Sequence, residues 1–93
     1  MIIDEVASRV LRAGYESLYG YMANHSEWVT DIWFDSRQLH VSAVIFQELE
    51  DAAGTFLDII VEIHTNDGQL VERHQCSLYR NGRFVFISLA ANI

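Results

Sequence analysis

At Ser26 the apolar period of this chain changes from 3.6 residues to two, and it does not change back. Before the change, residues 2–24, IIDEVASRVLRAGYESLYGYMAN, place Ile3, Val6, Ala7, Val10, Gly14, Leu18, Tyr21 and Met22 at helical spacing. Asp4, Glu5, Arg9, Arg12 and Glu16 fall mostly elsewhere, so the segment predicts one amphipathic helix over 2–24. Asp4 and Glu5 sit near its positive end, where the backbone dipole favours carboxylates, and Asn24 or His25 closes the other end. Gly14 and Gly20 lower helix propensity, and Gly14 on the apolar face would let a neighbour approach closely.

After the change, five segments rich in β-branched and aromatic residues alternate in polarity, which predicts strands at about 27–35, 38–49, 55–65, 69–80 and 83–90. The breaks are Ser36-Arg37, the acidic EDAAG, Asn-Asp-Gly and Asn-Gly, all too short for a crossover, so each neighbouring pair is expected to be antiparallel. The expected fold class is α+β: one N-terminal amphipathic helix packed on a four- to five-stranded antiparallel meander sheet, as a single domain over 1–93. This element order is similar to that of cystatin-like domains, but their Gln-x-Val-x-Gly inhibitory loop is absent from the sequence.

The two tightest turns predict registers. Asp67-Gly68 as a two-residue turn sets Glu62 against Arg73, Ile59 against Cys76, Leu57 against Leu78 and Phe56 against Tyr79. Asn81-Gly82 as another sets Arg80 against Arg83, Tyr79 against Phe84, Leu78 against Val85, Ser77 against Phe86, Cys76 against Ile87 and His74 against Leu89. One face is then aliphatic and belongs under the helix: Leu57, Ile59, Val61, Ile63, Cys76, Leu78, Val85, Ile87 and Leu89. The other mixes Phe56, Ile60, Tyr79, Phe84 and Phe86 with Asp58, Glu62, Arg73 and Gln75. In SEWVTDIWFDS, Trp28, Ile32 and Phe34 would face the helix, leaving Trp33 with the aromatic set.

One helix covers one face of a sheet, so this surplus of rings needs another cover. Unless the sheet curls enough to hide them itself, Trp33, Phe56, Ile60, Tyr79, Phe84 and Phe86 are expected to form an interface, most simply with a second copy in a homodimer. The reading is of a non-enzymatic protein-interaction domain. Its alternatives are an acidic inhibitor, immunity-type or nucleic-acid-mimicking, that occupies a basic site on a partner, and a small-ligand binder or enzyme with a pocket between helix and sheet.

Charge narrows the partners. The net charge is −7, and residues 25–54 hold six acids against Arg37 alone. Such a surface repels phosphate, which argues against direct nucleic-acid binding and leaves room for a basic protein partner. All six cations are Arg, so no lysine serves a P-loop or a Schiff base. The four histidines lack metal-ligand spacing, ELEDAAG lacks the alternating oxygens of a calcium loop, and no cofactor motif occurs. No catalytic, cofactor or metal site is expected; the pair His74 and Cys76 on one strand face is the nearest to a nucleophile, and the same register buries the thiol. A single cysteine fits a reducing compartment, the cytoplasm by expectation. The opening Met-Ile-Ile-Asp-Glu and the lack of a run of ~20 apolar residues argue against a signal peptide or membrane contact.

Overall fold

Gly14 divides the N-terminal segment. Its backbone adopts φ 87° and ψ 157°, which glycine reaches at little cost, so the predicted single helix is two: α1 (Ile2–Ala13) and α2 (Tyr15–Ala23). A Cβ on Gly14 would meet nothing within 4 Å. The residue therefore supplies a bend in the backbone and not the close approach expected of it. α1 buries Ile2, Val6 and Val10, four apart on one stripe, while α2 buries Tyr15 and Leu18. The computed structural model describes residues 1–88.

Five strands follow: β1 (Trp28–Phe34), β2 (Arg37–Asp51), β3 (Gly54–Thr65), β4 (Leu70–Tyr79) and β5 (Phe84–Ser88). They lie in the order β1-β2-β3-β4-β5 and every pair is antiparallel, so the α+β meander holds, with two helices in place of one. Leu39, Val41, Ala43 and Ile45 of β2, Leu57, Ile59, Val61 and Ile63 of β3, and Cys76 and Leu78 of β4 form one buried cluster with Val6, Val10 and Leu18. Both helices thus lie on one face. Their side of the sheet is the inner face below.

The turns decide which way each strand faces. β1 and β2 are joined by Asp35-Ser36, both left-handed at φ 55° and 63°, a tight two-residue turn. In β2 one extra residue, Phe46, bulges between Ile45↔Ile59 and Gln47↔Asp58. The β3–β4 pairs run from Phe56↔Tyr79 through Ile63↔Glu72, as the sequence predicts, although the turn itself is longer. Thr65 N–H bonds to Gln69 C=O at 2.9 Å across three residues, and an unpaired Val71 then shifts the register back between His64↔Leu70 and Ile63↔Glu72. Two one-residue departures cancel.

No such bulge follows the last turn. Tyr79 N–H bonds to Arg83 C=O at 2.8 Å and Gly82 N–H to Tyr79 C=O at 2.9 Å, giving a three-residue loop with Gly82 at φ 95°. The pairs are Leu78↔Phe84, Ser77↔Val85, Cys76↔Phe86 and Gln75↔Ile87, one residue off the predicted set. Because strand side chains alternate, that slip reverses all of β5. Phe84 and Phe86 face the helices and pack against the core; Val85 and Ile87 take their places outside. Leu89, expected opposite His74, lies outside the described residues.

Candidate interaction surface

The outer face of the sheet carries rows of side chains that the registers bring side by side. Val44, Ile60, Gln75 and Ile87 form one row across β2 to β5. The next holds Gln47, Asp58, Ser77 and Val85, and the third Leu49, Phe56 and Tyr79. Val44, Leu49 and Ile87 are 38%, 40% and 50% exposed, which is high for aliphatic side chains on a paired sheet. The polar row through the middle is internally satisfied: Asp58 accepts hydrogen bonds from Gln47 Nε2 at 3.3 Å and Gln75 Nε2 at 3.0 Å.

Of the six residues expected at an interface, four lie on this face. Phe56 and Ile60 are half-buried there, and Trp33 is 69% exposed at the β1 edge, away from the other three. Tyr79 is on the face but buried: the Phe56 ring lies 5.0 Å away and the Arg83 guanidinium 5.7 Å from its ring centre. Its hydroxyl donates to Asp51 at 2.7 Å, a bond that lowers the Asp51 pKa and raises that of Tyr79. Phe84 and Phe86 are the two that the register removes; their rings meet edge to face at 4.8 Å on the inner side.

The other end of the outer face is polar. Asp31 bonds His40 across β1–β2 and accepts from Gln38 Nε2 at 3.1 Å, while Arg73 Nε meets Glu62 at 3.3 Å. The Arg73–Glu62 pair is the cross-strand ion pair predicted from register; exposed as it is, it adds well under ~1 kcal/mol. No three His, Cys, Asp or Glu among the described residues are grouped to hold a metal ion.

On the inner side, burial pushes the Cys76 thiol up to about 12, with the Asp58 charge adding to the shift. It is held as a neutral S–H at pH 7, the reverse of an activated nucleophile. Neighbouring His74 lies 2.7 Å by Nε2 from Glu72 and 5.5 Å edge-on from Phe86. Its other ring nitrogen, Nδ1, is buried without a hydrogen-bond partner among the described residues.

A cleft of about 620 Å³ opens between the end of α2 and β2, beside the Phe46 bulge. Comparison of the chain with known protein families, with curated proteins and with solved structures finds no match. The surface must be read from its own chemistry. No helix among the described residues is long and apolar enough to cross a membrane.

Sequence reasoning missed one cluster that fixes this geometry. The Tyr15 hydroxyl donates to Glu48, the Arg80 guanidinium stacks 4.6 Å from the Tyr15 ring, and Arg80 bonds Glu48 at 3.0 Å and Glu16 at 3.2 Å. Burial, then the Glu48 bond, raises the Tyr15 pKa to about 12. The cluster ties the start of α2 to β2 and the last hairpin on the inner side of the sheet.

Proposed function

We propose that the chain is a non-enzymatic protein-interaction domain that pairs with a second copy through the outer face of its sheet. The observation that carries this is the row Val44, Ile60, Gln75 and Ile87, exposed at Val44 and Ile87 and flanked by Val85, Leu49 and Phe56, on the face opposite both helices. Five strands about 4.8 Å apart and about ten residues long make a face of roughly 800 Å², the area that each partner of a standard interface buries, about 800 Å². The face is also chemically self-complementary, with Arg73 and Arg83 in the same field as Asp58 and Asp31. A two-fold copy can set opposite charges against each other while the aliphatic row meets itself. A lone buried thiol suits a cytoplasmic setting for such a dimer.

Sedimentation equilibrium tests the reading. Wild-type protein is expected to show the mass of two chains at tens of micromolar, and Ile60→Glu, which sets a carboxylate in the centre of the row, the mass of one with an unchanged circular dichroism spectrum. A wild-type chain that stays single at high concentration overturns the proposal.

A further inference from the structure

β2 outruns its neighbour on one side. Its last pair with β1 is Ala43↔Trp28, whereas its pairing with β3 continues to Asp51↔Gly54. From Val44 to Asp51, every second backbone N–H and C=O points away from β3 toward a position that no described strand fills. Among the described residues, none of the backbone hydrogen bonds made by turns, loops and helix ends reaches this edge. Open donors and acceptors of this kind are what a strand-adding peptide uses.

The cleft lies along the same edge. Tyr21 and Met22 of α2 form one wall, and Val44, Ile45 and Phe46 the other, with the bulge leaving Phe46 57% exposed. Glu27 stands at the rim, and Glu50 and Asp51 follow along β2; Glu48 also lines the cleft but is already paired with Arg80, and no arginine among the described residues lines the cleft itself. An apolar slot, an unpaired main chain and a rim of carboxylates fall within one stretch of β2.

We propose that this edge takes an extended segment of a basic protein, added as a strand beside β2 with an apolar side chain in the cleft and Arg or Lys against the rim acids. A second copy of this chain fits poorly there, because edge-to-edge pairing would bring the acids Glu50 and Asp51 of both copies together on one short ribbon. The site shares Val44 with the dimer face, but its open edge and cleft do not depend on pairing.

The test uses a labelled ten-residue peptide of alternating Val and Arg, measured by fluorescence anisotropy and by backbone amide NMR shifts at 0.15 M salt. Binding with shifts concentrated in residues 44–51 is expected, while an alternating Val and Glu peptide should not bind. Two further versions carry N-methyl groups on the Val or on the Arg backbone nitrogens. Only one set of amides can face β2, so one version should lose at least tenfold in affinity and the other little. Phe46→Arg and Glu27→Arg should each weaken binding about tenfold without moving the urea midpoint, and Ile60→Glu should leave it unchanged. Equal binding by both methylated peptides, shifts spread over the outer face, or no binding at all overturns the proposal.

Discussion

Phe86→Glu is expected to destabilise the domain by about 3 kcal/mol, enough to unfold much of a small protein, while Ile87→Glu, one residue on, changes stability by less than about 0.5 kcal/mol. The contrast follows from the loop at Arg80-Asn81-Gly82. With Cys76 opposite Phe86, the ring of Phe86 packs between His74, Phe84 and the buried cluster, so a carboxylate there loses water against largely apolar neighbours. Ile87 is 50% exposed on the other face, where a carboxylate stays hydrated. Urea midpoints of the two variants, taken below the concentration at which chains pair, measure the difference. A two-residue turn would reverse the ranking, so a stable Phe86→Glu protein with a damaged Ile87→Glu counterpart would place Phe84 and Phe86 back outside.

The sequence held a hint of this outcome. The two-residue register sets Arg80 directly opposite Arg83, an unfavourable pairing of like charges. The three-residue loop separates them: Arg80 turns inward to Glu48 and Glu16, and Arg83 lies over Tyr79 on the outer face. It also puts the two phenylalanines, the larger apolar groups, under cover in place of Val85 and Ile87.

Period and turn residues made the meander legible because strand alternation and short breaks are local properties. The break at Gly14 was less so, since a glycine on a helix stripe serves equally as a bend or a contact until its φ is known. Phe46 in β2 reads in sequence as one more residue of an apolar run, and its bulge appears only against β3. The Tyr15–Glu48–Arg80 cluster was not legible at all: its members are separated by 33 and 32 residues and meet only once α2 is docked. Of the candidate surface, the central part at Phe56 and Ile60 could be placed from the β3–β4 register, where two local errors cancelled. The β5 part could not, because one uncompensated residue in a loop inverts every side chain after it.

Alkaline pH should unfold the protein well before its arginines titrate. Burial raises the Cys76 pKa from 9.0 to about 12, and burial with the Glu48 bond raises Tyr15 from 10.0 to about 12. Tyr79 shifts the same way through its bond to Asp51. A group whose folded pKa lies above its unfolded value gives stability that is complete below the unfolded pKa and is lost as pH rises toward the folded one. The thiol thus acts from pH 9 upward and the tyrosines from pH 10. At about 1.4 kcal/mol per unit, the thiol alone removes about 1.4 kcal/mol by pH 10 and about 3 kcal/mol by pH 11, where Tyr15 adds about 1 kcal/mol. Urea unfolding at pH 8, 10 and 11 should show midpoints falling over that range. Cys76→Ala lowers the starting midpoint by leaving a small cavity, but its curve should stay flat from pH 8 to 10 and bend only above, when the tyrosines alone remain. Parallel slopes for the two proteins between pH 8 and 10 would mean that the thiol is not the group being forced to ionise, and that the interior around Ile59, Cys76 and Phe86 admits water.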